Sequence, residues 1–333
     1  MNLSFAKKAA LGLALALSTA GLVQAETLKL SHVRPQGTAI DNDVKWFAEH
    51  VQSATDDKLK VKIYAANALG DYTVVQERVG LGAIDMAVQP PASGADKRFQ
   101  IIYMPYMVKN WQEAQRVFGP GTPLRDTVAE LYQAQGIKVL AAWPVYFGGI
   151  ALNKEVQGAG NPDVAKGIKL RVPPIKTFQL LADQIGYIPS PLPFSEAFTA
   201  VQTGVVDGVM GSGAEGYYSS FRDVTKFYVP SNTHFEVWYL LLNQERYDEL
   251  EPEQQTALDT VALEFENRRW KTAQADQAAN EQLLAKAGAT IVAVSDADIE
   301  ATAQKVRANV WPEIIDDIGK EWAEQVLKSA LKD

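Results

Sequence analysis

The most constraining feature of this sequence is a regular alternation of short apolar strands with amphipathic helices. Strand-like and helical segments alternate at residues 27–31, 39–54, 59–64, 72–80 and 84–88. A strand, a helix and a strand in that order make a parallel crossover unit. Pro90 and Pro91 end the last of these strands because proline cannot donate to a strand ladder. The first part of the chain therefore predicts a doubly wound α/β sheet.

A second series of the same kind follows the predicted strands at 137–142 and 146–153. Its strands and helices are predicted at residues 168–172, 175–185, 194–203 and 206–210. The strand at 146–153 is long enough to pass between two lobes, and the apolar run at 235–243 is long enough to lie in both. Two crossing strands predict two α/β lobes joined by a hinge.

The predicted lobes occupy residues 26–150 and 151–243, and parts of 244–333 return to the first. Residues 252–287 contain no Gly or Pro after Pro252 and predict one helix, far longer than the usual 11 or 12 residues. A helix of this length can brace both lobes. The tail, residues 288–333, predicts two amphipathic helices separated near Trp311.

The N-terminus has the order of a secretory signal peptide. Lys7 and Lys8 precede an apolar run, and small residues lead to Ala25, after which cleavage is predicted. Removal of residues 1–25 takes away two lysines and no acid, so the net charge changes from −8 to −10. That charge argues against nucleic acid as a partner. The apolar run is too short to span a bilayer, and we expect a periplasmic protein without a membrane anchor.

Cysteine is absent from the chain. Disulfides, thiol nucleophiles, cysteine-bound metals and a lipid-modified cysteine are thereby excluded. About 308 residues can bury a sufficient core without such crosslinks.

Three segments together resemble one known family. They are Val79–Met86 (VGLGAIDM), Gly167–Pro173 (GIKLRVP) and Pro193–Gly208 (PFSEAFTAVQTGVVDG). Their order and spacing resemble the periplasmic solute-binding subunit of tripartite ATP-independent periplasmic (TRAP) transporters, the DctP family. The resemblance covers about residues 27–325. It implies the two-lobed periplasmic-binding-protein fold, with two doubly wound mixed sheets, hinge-crossing strands and a long interlobe helix.

The resemblance also implies a function and two ligand-binding residues. Members bind a small organic acid between the lobes and deliver it to the membrane subunits of the transporter. Arg171 matches the family arginine that pairs with the ligand carboxylate, a role that suits the planar, always charged guanidinium. Phe194 matches the aromatic that lies over the ligand. The alternatives are an arginine paired with a surface acid and an ordinary core aromatic.

Two departures from the family pattern bear on the ligand. Tyr146 lies on the strand where receptors of acidic sugars carry another arginine, which argues against a ligand like sialic acid. Gly211 stands where many members have an acid followed by an asparagine, and glycine offers only space and backbone groups. We therefore expect a monocarboxylate, with an aromatic or sulfonated body as a further option. A C4-dicarboxylate or a sugar acid is the alternative within the family.

Other candidates lie where the strands of doubly wound sheets end, which is where such sheets bind ligands. Arg34 follows the first strand, and Gln89 follows the strand ending at Val88. Tyr72 belongs to a set of aromatic residues near predicted strand ends, together with Tyr103, Trp143, Tyr217 and Tyr218. His234 begins the long return strand, although a structural histidine is an equal alternative.

Other classes of function find little support in the residues. A secreted hydrolase is the main alternative, but residues 26–333 hold three histidines and no Gly-x-Ser-x-Gly turn. The glycines of residues 211–216 fit a dinucleotide loop only formally. We expect a binding protein and not an enzyme, with neither a metal nor a cofactor.

Overall fold

The computed structural model describes residues 25–332, so the predicted signal peptide lies almost entirely outside the described residues. The strands are β1 (Glu26–His32), β2 (Leu59–Tyr64), β3 (Met86–Gln89), β4 (Ile137–Phe147), β5 (Gly149–Leu152), β6 (Lys169–Val172), β7 (Ile188–Pro191), β8 (Gly208–Ser212), β9 (Phe227–Val229), β10 (Phe235–Asn243) and β11 (Thr290–Ile291). The helices are α1 (Ala39–Ala54), α2 (Tyr72–Gly80), α3 (Trp111–Phe118), α4 (Pro123–Gln133), α5 (Lys176–Gln184), α6 (Phe194–Gln202), α7 (Ala214–Phe221), α8 (Gln244–Asp248), α9 (Pro252–Lys286), α10 (Asp296–Asn309), α11 (Trp311–Ile318) and α12 (Lys320–Ala330), with a 3₁₀ helix at Lys97–Tyr103.

The first sheet has the strand order β2-β1-β3-β10-β4. The crossover units predicted from the N-terminal part give the parallel pairs of β1 with β2 and β3. β10 runs antiparallel to both β3 and β4, which makes the sheet mixed. Leu28, Val44 and Phe47 are fully buried between the sheet and α1. This sheet and its helices form the first lobe.

The second sheet has the order β11-β9-β5-β8-β6-β7 and forms the second lobe with α5, α6 and α7. β5 pairs antiparallel with β8 and β9, whereas β6 pairs parallel with β7 and β8. Pro189 and Pro191 lie in β7, and proline is tolerated there because β7 is an edge strand. The predicted α/β class with two mixed sheets is confirmed.

Two of the three places where the chain passes between the sheets lie side by side, and helix α9 makes the third. β4 ends at Phe147 in the first sheet, and β5 begins at Gly149 in the second. The returning segment runs beside this point, because the Gly148 amide donates to the His234 carbonyl (2.8 Å) and the Thr233 amide to the Gly148 carbonyl (2.9 Å). The two crossings therefore form one hydrogen-bonded hinge.

One prediction about the hinge is wrong. The run at residues 235–243 was expected to lie in both lobes, but β10 pairs only with β3 and β4 of the first sheet. Pro230 and the irregular residues after it separate β9 from β10. Because proline has no amide hydrogen, a continuous ladder stops before β10 begins.

Helix α9 is 35 residues long and contacts both lobes. Its first half places Leu258 and Phe265 in the core of the first lobe, and Leu284 near its end enters the core of the second. The tail contains three helices and not the two predicted. Gly319, with a φ of 102°, separates α11 from α12.

Candidate functional site

A small cavity lies between the two lobes. Its walls combine aromatic and apolar side chains with a few charged ones. The first lobe contributes Val33, Arg34, Tyr72, Pro90, Tyr103, Tyr146, Glu236 and Trp238. The second lobe contributes Arg171, Pro173, Ile175, Phe178, Phe194, Gly211 and Ser212. A small, mostly apolar space with a few polar groups is typical of a small-molecule site.

Arg171 lies on β6, and its side chain is 1% exposed. Its Nε donates to the Leu192 carbonyl (2.9 Å) and its Nη1 to the Met210 carbonyl (3.4 Å). Among residues 25–332, its Nη2 has no hydrogen-bond partner. Burial lowers the pKa of this guanidinium, which nevertheless stays protonated at physiological pH. Arg171 therefore presents a fixed positive charge with an unused donor at the cavity wall.

Arg34 follows β1 and is also buried, but its charge is already matched. Its Nε lies 2.9 Å from Oε2 of Glu215 on α7, and its Nη2 donates to Oγ of Ser212 (3.4 Å). Burial alone would lower the pKa of Arg34, but Glu215, Tyr146 and Glu236 together raise it more, so the net shift is upward. Because the arginine belongs to the first lobe and both partners to the second, this contact holds the lobes together.

Glu236 is the only acidic side chain of the cavity wall among the described residues, and it is 3% exposed. It lies on β10 opposite Tyr146 of β4. Its Oε1 accepts from Nε1 of Trp238 (2.9 Å), and its Oε2 lies 3.1 Å from Nε2 of His234. In the part of the chain that the structure describes, the cavity wall thus holds one arginine without a carboxylate partner, Arg171, and one carboxylate, Glu236.

Three aromatic side chains surround these charges. Phe194 begins α6 and packs against the cores of both lobes. Its ring centroid lies 4.8 Å from the guanidinium carbon of Arg34 and 5.9 Å from that of Arg171, within cation–π range. Burial raises the pKa of Tyr72 and of Tyr146, so that both phenols keep their protons. They can donate hydrogen bonds from the first lobe.

Two glycines, Gly211 in β8 and Gly216 in α7, make room for neighbouring side chains. Gly211 has a φ of 86°, and a Cβ there would collide with the ring of Pro173. A Cβ at Gly216 would lie 2.5 Å from Nη2 of Arg34. Pro173 and Arg34 occupy the space next to these glycines, which leaves no room for a dinucleotide phosphate there.

Two predicted site residues do not line the cavity, and their interpretation changes. Gln89 is buried at the end of β3, and its Nε2 donates to the Tyr72 carbonyl (2.9 Å). His234 lies behind Glu236, with Nδ1 3.0 Å from Oγ1 of Thr233. Both side chains support residues that do line the cavity. The other six predicted residues, Arg171, Phe194, Tyr146, Tyr72, Arg34 and Gly211, lie together in its wall.

Of the additional aromatic residues, only Tyr103 lines the cavity. Its hydroxyl donates to the Pro91 carbonyl (2.7 Å). The hydroxyl of Tyr217 is used by two carbonyls of the second sheet, and the indole of Trp143 donates to Asp43. These contacts are structural.

Sequence reasoning missed Glu236 and Glu215 as residues of the site. The sequence does contain a signal for Glu236. The run FEVWYLLLN is apolar on both faces of its strand, so an acid inside it is expected to be buried. A buried carboxylate without a structural salt bridge is a functional candidate. Glu215 has no such signal, since it stands in the first turn of α7 like many helix-start acids.

The described residues hold no group of three or more His, Asp or Glu side chains arranged to bind a metal ion. Within residues 25–332, no helix is both long and apolar enough to cross a bilayer.

Comparison with known proteins agrees with this architecture. Residues 30–317 match the model of the DctP family, described as bacterial extracellular solute-binding protein family 7. The C4-dicarboxylate-binding periplasmic protein DctP of Rhodobacter capsulatus is 26% identical over 315 residues, which cover 94% of this chain and 93% of that protein. A solute-binding protein of Albidiferax ferrireducens is 28% identical over 299 residues, 86% of each chain.

Solved structures show the same two-lobed fold. The sugar-acid-binding protein of Advenella mimigardefordensis in complex with galactonate has a TM-score of 0.85 at 22% identity, covering 92% of this chain and 98% of that one. A TRAP periplasmic solute-binding protein of Haemophilus influenzae with bound L-gulonate has a TM-score of 0.83 at 23% identity, with the same coverage. The chain therefore belongs to the DctP family, the solute-binding subunits of TRAP transporters.

Proposed function

We propose that this protein is a periplasmic receptor that binds a monocarboxylate between its lobes and delivers it to the membrane subunits of a TRAP transporter. One observation carries the proposal. Nη2 of Arg171 is buried without a protein partner, in the wall of a cavity that both lobes share. A buried donor left unused is costly, and a carboxylate accepts from a guanidinium in matching geometry.

The other charges of the cavity favour one carboxylate over two. Arg34 is neutralised by Glu215, so Arg171 is the one guanidinium of the cavity wall, among the described residues, that lacks a carboxylate partner. A second ligand carboxylate would have to share the cavity with Glu236. Like charges at close range in a buried site repel strongly. A C4-dicarboxylate, the ligand in the name of the Rhodobacter relative, is therefore the less favoured alternative.

The walls also favour a ligand with few hydroxyl groups. Val33, Pro90, Pro173, Ile175 and Phe178 offer no side-chain hydrogen bonds to a sugar acid. The Tyr103 hydroxyl and the Trp238 indole already have protein acceptors. Sugar acids such as the galactonate and L-gulonate of the solved relatives remain the second candidate.

Closure of the lobes follows from where the groups lie. Arg171 and Phe194 belong to the second lobe, and Tyr72 and Tyr146 to the first. A ligand that touches both walls binds the closed form better than the open form and shifts the population towards it. We propose that the transporter's membrane subunits bind this closed form. Cleavage after Ala25 would release the receptor into the periplasm.

Calorimetry with purified protein tests the proposal, using a panel of monocarboxylates, dicarboxylates and sugar acids. We expect a monocarboxylate to bind without being consumed. Arg171→Lys should weaken its binding by about 2 kcal/mol, roughly thirtyfold in Kd, because an ammonium lacks the two parallel donors.

The matched control is Arg222→Lys, an exposed position of the second lobe outside the cavity wall, where affinity should be unchanged. Equal affinity of the Arg171→Lys variant and the unmodified protein would remove Arg171 from the site. Turnover of a bound acid would favour the hydrolase.

A further inference from the structure

Glu236 is a buried acidic side chain of the first lobe. It lies within the apolar strand β10, at the wall of the cavity. No lysine or arginine nitrogen of residues 25–332 lies within 4.0 Å of it, and His234 is its one basic neighbour at that distance. A buried carboxylate in this position is costly unless it is paired.

Two side chains contact the carboxylate of Glu236. Trp238 donates its indole N–H to Oε1. Nε2 of His234 lies 3.1 Å from Oε2, and Nδ1 of the same ring lies 3.0 Å from the Thr233 hydroxyl oxygen. These bonds orient the carboxylate and leave each oxygen able to accept once more. Glu236 is therefore prepared to receive a donor from the cavity.

The two unbalanced charges of the cavity belong to different lobes. Arg171 offers Nη2 from β6 of the second lobe, and Glu236 offers its oxygens from β10 of the first. Arg34 makes its salt bridge with Glu215, whose Oε2 lies 2.9 Å from its Nε, and interacts with Glu236 only at longer range. A ligand between the two walls meets a positive charge on one side and a negative charge on the other.

We propose that the ligand is a zwitterion, with its carboxylate on Arg171 and a nitrogen-centred cation on Glu236. This inference rests on the proposed function, which supplies the carboxylate. It adds that Glu236 determines specificity at the other end of the ligand. A single zwitterion pairs both buried charges at once and bridges the lobes by two charged hydrogen bonds. A methyl group at that end would cover the carboxylate without pairing it, and a second carboxylate would be repelled.

Acids that differ only at the far end test the proposal. The probes are 4-aminobutanoate, 4-hydroxybutanoate, pentanoate and glutarate, with 6-aminohexanoate, heptanoate and pimelate as a longer series. By calorimetry, the amino acid of at least one series should bind at least about tenfold more tightly than the methyl-ended and dicarboxylate acids of that series. Equal or tighter binding of the methyl-ended or dicarboxylate acids in both series would overturn the proposal.

The variant Glu236→Gln keeps the shape of the side chain and removes its charge. It should reduce the preference for the ammonium end over the methyl end at least about tenfold, while binding of the methyl-ended acid persists. Glu253→Gln, at an exposed acid of α9, is the control and should keep the preference. An unchanged preference in Glu236→Gln contradicts the inference. The comparison of probes on the unmodified protein stands even if this variant does not fold.

Different results contradict the receptor function and the zwitterionic ligand. If acids bind through Arg171 without regard to their far end, the receptor function stands and the zwitterion does not. If the protein binds none of the acids in either panel, both proposals are wrong.

Discussion

Arg34 and Arg171 line the same cavity, and the structure gives them different tasks. Glu215 and Ser212 occupy the donors of Arg34. The donors of Arg171 are only partly used, by two backbone carbonyls. Backbone carbonyls fix the direction of a guanidinium without cancelling its charge. Arg171, whose charge is not paired with a carboxylate, is therefore better suited than Arg34 to bind an anion.

A pH dependence of stability is expected from His32. The ring is buried beside Arg34 and Lys45, and burial lowers its pKa although Asp41 lies 3.3 Å away and raises it. The unfolded chain therefore binds the proton more readily, and stability falls as the pH drops below about 6.5. His32→Gln should remove this loss, at most about 1.4 kcal/mol per pH unit. Denaturant unfolding between pH 7.5 and 5 measures it.

The exposed His50 provides the comparison, since His50→Gln should leave the pH dependence as it is. Asp41 does not interfere in this range, because its own pKa is shifted downward and it stays ionised. A slope that persists in His32→Gln would show that another group binds the proton.

About half of the residues in the cavity wall could be predicted from the sequence, but the electrostatics of the cavity could not. Arg171 and Phe194 stand in segments whose sequence resembles a family. Glu236 stands in an apolar run, where the pattern shows the strand and hides the carboxylate among its neighbours. The pairing of Arg34 with Glu215 joins residues 181 positions apart, and no local signal reveals such a contact.

At the scale of single elements, α9 is fixed to β4 by polar contacts inside the core. Oε2 of Glu266 accepts from the Ala142 amide (2.7 Å) and lies 3.3 Å from Nη2 of Arg125. Nε of Arg269 donates to the Pro144 carbonyl (2.7 Å). These contacts set the register of the helix along the strand that leads to the hinge.

The substitution Glu266→Ala should therefore destabilise the protein. It leaves the Ala142 amide without an acceptor and Arg125 without its buried partner, which costs about 3 kcal/mol. Chemical denaturation measures the loss in the free energy of unfolding. Glu264→Ala, two residues away on the exposed face, should cost less than about 0.5 kcal/mol. Similar values for the two variants would contradict a structural role of Glu266.

The elements with strong local signals were predicted well. The bounds of α9 differ from the prediction by one residue at its end, because Pro252 opens the helix and no later Gly or Pro interrupts it. The missed elements are the 3₁₀ helix, β7, α7, β9, α8, β11 and one of the three tail helices. β7 contains two prolines and β11 has two residues, so that only pairing with a neighbouring strand defines them.

At the scale of the whole molecule, the contact between Arg34 and Glu215 bears on the balance of open and closed forms. It joins the two lobes, so that any opening of the cavity would break it, and a buried ion pair gains little more than its desolvation costs. The pair therefore allows closure without enforcing it. The ligand can then decide the population through its own contacts.

Replacing Glu215 by glutamine should move the unliganded protein towards the open form, because closure would bury Arg34 without a counter-charge. The distance between fluorophores on Ser53→Cys and Asp183→Cys, one in each lobe, reports the change by single-molecule energy transfer. The chain has no cysteine of its own, so only these sites are labelled. Ligand should still close the variant, at higher concentration.

Glu196→Gln, at an exposed acid of α6, serves as the control and should keep the distance distribution of the unmodified protein. Identical distributions for the Glu215→Gln variant and the unmodified protein would show that the ion pair does not influence closure.

The two prolines of β7 bear on how molecules of this protein meet one another. Neither ring can offer an amide hydrogen to a neighbouring molecule, so this edge of the second sheet is a poor template for another chain. Copies of the protein can then come close together at this edge with little risk of joining into one continuous sheet.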